Sequence, residues 1–216
     1  VAQAGDEAQK RGFEEGVRVG VGPQCECCHE CEHCTRGDDS QCPSACDTYN
    51  DFDSTGNQTF GGFAERIVVD CHKVVKIPDS LSSVDAAPLL CAGVTVYSAL
   101  KRYLHPDSDR YVAVLGLGGL GHLAVKMASQ MGMKVTVLSH SPDKEAAALA
   151  LGASEFLDSS VASLGGLGRR FDVIVNTASK CSTSLDPLLG TLRTDGRLIL
   201  LGMSPAVEFS GFNLFP

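Results

Sequence analysis

The amino-acid sequence predicts an α/β fold in which a doubly wound parallel sheet follows a smaller β-rich region with a cysteine-rich lobe. Residues 1–83 are rich in turns, glycines and short strand patterns, whereas strands and helices alternate from about Val84 onward. Such alternation, with helices of about 10–15 residues, indicates right-handed βαβ units and a sheet covered on both faces. Six of the ten cysteines lie between Cys25 and Cys42, and clustering at such short spacing indicates a metal site.

The composition excludes several classes of function. In the 216 residues, 44% are hydrophobic and 20% are charged, which is ordinary for a globular protein. The net charge of −8 disfavours binding to a phosphate backbone, so we expect no nucleic-acid partner. No apolar run approaches the ~20 residues of a membrane span, and no signal peptide is visible, so we expect no membrane partner. Thiols clustered for a metal favour a reducing compartment, the cytoplasm.

Two strands are predicted in the first region. A turn leads into a strand over residues 61–69, and a second strand over residues 73–78 ends at its proline. Apolar residues occur all round the segment 84–103, which indicates a largely buried helix or two joined helices.

The second region shows regular alternation of strands and helices. Apolar residues at helical spacing follow Leu120, with Gly132 as the stop, and Ser141-Pro142 is predicted to cap the next helix. The stretch 159–170 has the composition of a loop. The predicted strands are 111–115, 134–138, 155–157, 172–176 and 197–201, and the predicted helices are 120–131, 141–151 and one within 184–193.

A glycine string between the first strand and helix of this region predicts a dinucleotide site. The string reads Gly116-Leu117-Gly118-Gly119-Leu120-Gly121. In this context the first glycine permits the tight turn, the second lets the backbone approach the pyrophosphate, and the last lets helix pack on strand. The pyrophosphate would then bind the free N–H groups at the start of the helix.

The end of the next strand predicts which dinucleotide binds. NAD-dependent enzymes usually place an acid there for the ribose 2′-hydroxyl, but this strand ends Ser139-His140-Ser141 without one. Both serines can donate hydrogen bonds to a 2′-phosphate and Lys144 adds a positive charge, so NADP(H) is predicted. Alternatively, Lys144 is a solvated charge and Ser141 only a helix cap.

The cysteine lobe predicts a structural zinc site. Four thiols with the spacing Cys28-x2-Cys31-x2-Cys34-x7-Cys42 can close around one tetrahedral ion and leave no position for substrate. Three alternatives remain open. Cys25 or Cys27 could replace Cys28, the histidines His29 and His33 are chemically able to bind metal, and the cysteines could form a redox or disulfide cluster.

Taken together, these residues resemble the zinc-dependent medium-chain alcohol dehydrogenases, in particular the cinnamyl-alcohol-dehydrogenase-like branch. The resemblance covers nearly the whole chain and implies a partial GroES-like domain at 1–88 and a partial Rossmann domain at 89–216. It is carried by Gly20-Val21-Gly22-Pro23, the four-cysteine lobe, Thr48-Tyr49-Asn50, Gly61-Gly62-Phe63, Val74-Val75-Lys76-Ile77-Pro78, the segment from Ala87-Pro88-Leu89-Leu90-Cys91 to Val94-Thr95-Val96-Tyr97-Ser98, and Gly116 to His122.

The resemblance also implies roles for individual residues. Cys91 would be one ligand of a second, catalytic zinc between the domains, and Thr95 would lie beside the nicotinamide. The four lobe cysteines would bind the structural zinc. The nucleotide would be held by the glycine string, by Ser139, His140, Ser141 and Lys144 around the 2′-phosphate, and by Thr177 and Gly202 along the nicotinamide half.

By this resemblance the protein is an oxidoreductase that transfers a hydride between NADP(H) and a primary alcohol or aldehyde, with a zinc ion as Lewis acid. The family's other catalytic zinc ligands, a Cys and a Gly-His-Glu segment, lie upstream of the position of Val1, and its last strands and dimer edge lie beyond Pro216. We therefore expect a fragment of a homodimeric parent that is inactive alone. The alternative function is a catalytically incomplete nucleotide- and zinc-binding protein; a zinc-free quinone-reductase-like relative is disfavoured because those proteins lack the four-cysteine lobe.

Overall fold

The computed structural model of the chain describes residues 1–105, 110–160, 164–179, 184–204 and 206–211. The chain divides into two compact units, Val1–Cys91 and Ala92–Pro216. The domain boundary after residue 88 stays a prediction of the sequence.

The first unit is built from short antiparallel strand pairs. Its strands hold two to four residues each, and the predicted strand over residues 73–78 is present as the three-residue strand at Val74–Lys76. The pairs are β1 (Val19–Val21) with β6 (Val74–Lys76), β2 (Gln24–Glu26) with β3 (Cys46–Asp47), and β4 (Tyr49–Phe52) with β5 (Gln58–Phe60). Helical segments connect them: α1 (Asp6–Lys10), α2 (Glu32–Thr35), α3 (Ser83–Ala86) and 3-10 turns at Asp39–Gln41, Gly61–Phe63, Cys71–Lys73 and Ala87–Leu90.

The strand predicted over residues 61–69 is wrong. A 3-10 turn occupies Gly61–Phe63, and residues 64–70 adopt no strand. Phe63 and Val68 are each 91% exposed, so the apolar side chains that suggested a half-buried strand have nothing to pack against in this unit. A strand requires a hydrogen-bonding neighbour as well as the right residue types.

The segment 84–103 is broken rather than one buried helix. The helix α3 passes into the 3-10 turn Ala87–Leu90, and α4 (Ala92–Tyr103) begins after Cys91. In α4 the buried residues Gly93, Val96, Ala99 and Leu100 recur at helical spacing, whereas Val94 and Tyr97 are exposed. The prediction of two joined elements is confirmed, but the helix is amphipathic and only one face is buried.

The second unit contains a five-stranded parallel sheet. Its strands are β7 (Tyr111–Leu115), β8 (Lys134–Ser139), β9 (Glu155–Asp158), β10 (Phe171–Asn176) and β11 (Leu192–Leu200), in the spatial order β11-β10-β7-β8-β9. All neighbours in the sheet are parallel. If β7 to β11 are numbered 1 to 5 along the chain, their spatial order from the β9 edge of the sheet is 3-2-1-4-5. This is the doubly wound order, so the predicted Rossmann topology is confirmed. The direction of winding changes between β7 and β10.

Both faces of this sheet are buried. Val112, Ala113 and Val114 of β7 are consecutive and fully buried, and consecutive residues point to opposite faces of a strand. Such strands lack polar alternation because helices cover both sides. On one face Ala113, Ile174 and other apolar residues form a cluster with Leu185 and Leu188.

Three helices of this unit lie where the sequence predicts them: α5 (Gly119–Gln130), α6 (Glu145–Ala150) and α7 (Asp186–Leu189). Ser141 stands at the predicted cap position, before a 3-10 turn at Pro142–Lys144 that leads into α6, but its side chain makes no capping hydrogen bond. The strand β11 begins at Leu192, five residues before the predicted start at Arg197. A bulge around Asp195, whose φ is 61°, lies between the pairing of Leu192 with Phe171 and the pairing of Arg197 with Val173. Part of the predicted loop 159–170, residues 161–163, lies outside the described residues.

No single helix within the described residues is long and apolar enough to cross a membrane. One bent pair, Ser83–Leu90 with Ala92–Tyr103 at 56°, meets the length and composition test only when its two parts are taken together.

The core of the sheet gives a testable prediction. Ile174 is fully buried at the centre of β10, so Ile174→Ala should lower the free energy of unfolding by about 2–5 kcal/mol through lost burial and a cavity. Met203→Ala is the control, because Met203 is 90% exposed and its truncation should change stability by less than ~0.5 kcal/mol. Urea unfolding followed by circular dichroism measures both; equal losses would contradict the assignment of the core.

Candidate nucleotide site and zinc lobe

The glycine string forms a turn in which two backbone segments touch. Gly116 ends β7 with φ of +87°, a left-handed conformation that favours glycine. A Cβ on Gly121 would overlap the carbonyl oxygen of Gly116 and would lie 3.0 Å from Thr177 Oγ1. Neither position therefore tolerates a side chain without movement of the backbone. Glycine at both ends of the string is what allows α5 to begin directly against the strand end.

The start of α5 is open. The residue before the helix, Gly118, supplies no side-chain cap, and a Cβ on Gly118 or Gly119 would meet no atom within 4 Å. The first N–H groups of a helix have no partner within the helix, and the helix dipole favours negative charge there. This twelve-residue helix thus offers room and unsatisfied donors for a phosphate group.

A crevice of about 510 Å³ opens at the carboxyl ends of the strands, where the winding of the sheet reverses. On its β10 side, Thr177 Oγ1 donates to the carbonyl oxygens of Leu115 at 2.9 Å and Gly116 at 3.1 Å. A Cβ on Gly202 would overlap the carbonyl oxygen of Ala178. Thr177 and Gly202 thus hold the ends of β10 and β11 close to the glycine turn. The predicted residues that line the crevice are Gly116, Leu117, Gly118, Ser139, His140, Lys144 and Thr177.

The end of β8 presents donors and one cation to the crevice. Ser139 is 5% exposed, and its Oγ accepts a hydrogen bond from Ser141 N at 3.2 Å. Lys144 Nζ donates to the carbonyl oxygen of Leu117 at 3.3 Å, which holds the ammonium over the glycine turn. Asp143 is exposed and does not line the crevice, and no other carboxylate is among its described lining residues. The chemistry of the lining fits an anionic ligand.

Several predicted residues do not line this crevice. Gly119, Leu120, Gly121, Ser141 and Gly202 flank it, whereas Thr95 lies within α4 and its role beside a nicotinamide stays a prediction. Sequence reasoning missed Ser159 and Ser160 after β9 and Ala178 and Ser179 after β10, all of which line the crevice. The general signal was available, because ligands in open α/β sheets bind beyond the carboxyl ends of strands.

The four lobe cysteines lie together in the first unit. Their sulfur atoms are all within 4.8 Å of one another, with Cys28 Sγ 3.5 Å from Cys42 Sγ and 3.9 Å from Cys34 Sγ. A tetrahedral zinc with Zn–S bonds of ~2.3 Å requires sulfurs about 3.8 Å apart. The arrangement fits one metal ion bound by four thiolates, and Cys31 supplies the fourth thiolate.

The surroundings of these thiols shift their pKa values in opposite directions. Backbone N–H groups of Glu30 and then Cys31 lower the pKa of Cys28 to about 6, which favours its thiolate. Burial, followed by the neighbouring thiols of Cys31 and Cys42, raises the pKa of Cys34. Four adjacent thiols cannot all ionise without a compensating charge, and a divalent cation held by the four would supply it.

The structure separates Cys25 and Cys27 from this set. Cys25 lies in β2 and its Sγ is 3.5 Å from Cys46 Sγ, with both side chains buried. Burial raises the pKa of Cys25, and raises that of Cys46 to about 12. Cys27 lies instead beside His29, and His33 contacts Arg36. None of these residues joins the four sulfurs.

Cys91 is the last residue of the first unit, between the 3-10 turn and α4, and its side chain is exposed. Among the described residues, no group of three or more potential metal ligands includes it. Its assignment to a catalytic zinc stays a prediction.

Comparison with known proteins matches both units. Residues 1–79 match the alcohol dehydrogenase GroES-like domain, and residues 119–216 match the zinc-binding dehydrogenase family. A probable formaldehyde dehydrogenase AdhA of Bacillus subtilis is 46% identical over 189 residues, which cover 87% of this chain and 54% of that protein. The chain thus spans about half the length of this curated relative.

Two solved structures extend the comparison to three dimensions. Cinnamyl alcohol dehydrogenase SbCAD4 of Sorghum bicolor has a TM-score of 0.87 at 40% identity, covering 94% of this chain and 58% of that one. The cinnamyl alcohol dehydrogenase of Helicobacter pylori, solved with NADP(H), has a TM-score of 0.81 at 32% identity and covers 93% and 58%. With a GroES-like unit followed by a Rossmann unit, the chain belongs to the zinc-type alcohol dehydrogenase family, as the likeness to cinnamyl alcohol dehydrogenases indicates.

Proposed function

We propose that this chain is the nucleotide-binding and zinc-lobe portion of an NADP(H)-dependent zinc alcohol dehydrogenase. The reaction is hydride transfer between NADP(H) and a primary alcohol or aldehyde. One observation carries the choice of cofactor: the crevice at the end of β8 contains Lys144 and no carboxylate among its described lining residues. The Helicobacter pylori relative, whose structure holds NADP(H), supports it.

The chain's own residues would bind and orient the nucleotide. The N–H groups at the start of α5 would receive the pyrophosphate, and Lys144 with the Ser139 and Ser141 donors would surround the 2′-phosphate. Bound NADP(H) would supply the hydride, as is general for nicotinamide cofactors. Thr177 and Gly202 would border the nicotinamide half because they stand at the ends of β10 and β11.

The zinc chemistry would be divided between two places. Cys28, Cys31, Cys34 and Cys42 would hold a structural zinc whose four positions are all filled by protein. Cys91 would contribute one thiolate to a catalytic zinc, which when bound supplies Lewis-acid chemistry. Its remaining ligands would come from residues beyond the 216 of this chain.

The names of the relatives limit the class of substrate that we propose. They include cinnamyl alcohol dehydrogenases and a probable formaldehyde dehydrogenase, so the substrate would be a small aromatic or aliphatic aldehyde or the corresponding primary alcohol. We further propose a homodimer in the cytoplasm for the whole protein, because family members are commonly dimers and clustered metal-binding thiols suit a reducing compartment.

A second candidate function is nucleotide and zinc binding without turnover. It is favoured by the observation that no group of three potential metal ligands among the described residues includes Cys91. Catalysis and binding alone differ in one measurable respect, which is whether the bound nucleotide is oxidised.

The phosphate pocket predicts a selective loss of affinity. Removing the ammonium with Lys144→Ala should weaken binding of NADPH by about tenfold, since a hydrogen bond to a charged group contributes ~1.5–3 kcal/mol and each 1.4 kcal/mol is tenfold. NADH, which lacks the 2′-phosphate, should bind with unchanged affinity. Titration calorimetry with both nucleotides measures this difference.

Lys126→Ala is the matched control, because Lys126 is an exposed residue of α5 and does not line the crevice. It removes the same charge and should leave both affinities unchanged. Equal weakening of NADPH and NADH by Lys144→Ala would contradict the 2′-phosphate assignment.

The lobe predicts a loss of metal with a single substitution. Cys31→Ser removes one of the four thiolates and should lower the affinity of this site for Zn²⁺ by more than about 100-fold, beyond the effect of losing an outer-shell partner. In the Co²⁺-substituted protein, the intense thiolate-to-metal absorption of a four-sulfur site should fall accordingly. His33→Ala, a change at a half-buried histidine of the same lobe outside the four sulfurs, should preserve that absorption; its loss there would argue against the four-cysteine assignment.

The two candidate functions are separated by an activity assay. The 216-residue chain should bind NADPH but should not oxidise it in the presence of cinnamaldehyde, whereas a protein extended to the length of its relatives should do so and should prefer NADPH to NADH. The decrease in absorbance of NADPH measures turnover. Turnover by the 216-residue chain alone would show that Cys91 needs no further ligands, and a preference for NADH would defeat the cofactor assignment.

A further inference from the structure

A second group of metal-binding side chains lies in the first unit, outside the four-cysteine set. Cys27 Sγ is 3.6 Å from His29 Nδ1, and a ring nitrogen of His29 contacts one carboxylate oxygen of Asp70. The other oxygen of Asp70 is 2.9 Å from His72 Nδ1. The rings of His29 and His72 have centroids 4.5 Å apart. These four residues are called the Cys27–His72 cluster below.

The cluster joins two separate parts of the chain. Cys27 and His29 follow β2, whereas Asp70 and His72 belong to the 3-10 turn at Cys71–Lys73 and the residue before it. Asp70 N donates to the carbonyl oxygen of Cys25 at 3.0 Å, which fixes the two segments against each other. The contact between His29 and Asp70, which are 41 positions apart, therefore results from the fold.

The donor atoms are those of a zinc site. One thiol, two imidazoles and one carboxylate are all ligands that Zn²⁺ accepts in tetrahedral geometry. The atoms of Cys27, His29 and Asp70 lie within 4.8 Å of one another, as do those of Asp70, Cys71 and His72. Asp70 belongs to both groups and places its two oxygens towards the two histidines.

The simplest alternative is a pair of Asp–His ion pairs without metal. That alternative accounts for Asp70 and the two rings, whereas a metal site also gives a role to the thiol of Cys27, whose Sγ lies 3.6 Å from His29 Nδ1. A cation is already present nearby, because Lys73 ends the 3-10 turn that contains His72. Lys73 is paired with Asp39, so its charge is balanced and does not occupy the carboxylate of Asp70.

We propose that Cys27, His29, Asp70 and His72 form a second metal site in the lobe, which binds one borderline divalent cation such as Zn²⁺. The site is distinct from the four-thiolate set, since none of its members belongs to that set. The side chains of His29 and His72 are 45% and 40% exposed, so the ion exchanges with solvent more readily than one enclosed by four thiolates. Its bound form ties the segment after β2 to the 3-10 turn at Cys71–Lys73.

Cadmium-113 NMR tests the proposal, because the chemical shift separates a four-sulfur site from a site with one sulfur. The whole chain carrying Cys91→Ser, which removes the proposed catalytic ligand, is stripped of metal and titrated with ¹¹³Cd²⁺. We expect two resonances, one from four thiolates and one from a single thiolate with nitrogen and oxygen ligands. A four-thiolate resonance without the second would overturn the proposal.

The variant His72→Ala should remove the one-sulfur resonance and leave the four-sulfur resonance unchanged, and the latter also reports that the lobe is folded. His33→Ala, which removes a half-buried lobe histidine outside the cluster, should retain both. Persistence of the one-sulfur resonance in His72→Ala with unchanged affinity would overturn the assignment of this ligand set.

If His72→Ala also loses the four-sulfur resonance, the near-isosteric Cys27→Ser decides the question. It must shift or abolish only the one-sulfur resonance. An unchanged spectrum in Cys27→Ser overturns the proposal, because the thiol is the ligand that distinguishes this site from an Asp–His pair.

Discussion

The crevice at the carboxyl ends of the parallel strands depends on one contact between backbones. Where α5 leaves the end of β7, Gly121 approaches the carbonyl oxygen of Gly116 so closely that a Cβ would overlap it. This contact brings the open N–H groups of α5 to the point where the sheet reverses its winding, beside Thr177 at the end of β10. Without it the helix would stand away from the strand, and the donors, the dipole and the crevice would no longer coincide.

The sheet could be predicted from sequence because its strands are buried on both faces. Val112 to Val114 form an uninterrupted apolar run bounded by turn residues, and such a run has few alternative explanations when a helix pattern follows. The strand predicted at 61–69, by contrast, is absent. Phe63 and Val68 have the residue types of a strand, but pairing depends on a neighbour that local sequence does not specify. Likewise, Ser141 has a capping side chain, yet a 3-10 turn at Pro142–Lys144 separates it from α6.

In the lobe, the sequence predicts a metal site better than it predicts which cysteines are the ligands. The spacing of four thiols indicates a metal, but Cys25, Cys27 and Cys28 are chemically equivalent in the sequence. The fold distinguishes them. The strand β2 places Cys25 against Cys46 in a buried pair, Cys27 faces His29, and only Cys28 receives the backbone N–H donors that stabilise its thiolate. The partner of Cys25 lies 21 positions away in the sequence, which local spacing cannot reveal.

The proposed choice of NADP(H) over NAD(H) depends on whether a carboxylate lines the crevice, and not only on whether one occurs nearby in the sheet. Asp158 ends β9 and pairs with Ser139 across the sheet, so an acid does stand one strand away from the proposed phosphate pocket. Its Oδ1 accepts a hydrogen bond from Ser160 N at 3.0 Å, and Asp158 does not line the crevice although Ser159 and Ser160 do. The carboxylate is thereby engaged by its own turn, while Lys144 is held towards the glycine loop through Leu117. Since Coulomb energy falls with distance and with solvent between the charges, a cation on the lining would act on a bound phosphate more strongly than an acid outside the lining. The proposed choice of a phosphate over a ribose hydroxyl therefore rests on this local arrangement and not on the net charge of the chain, which is −8.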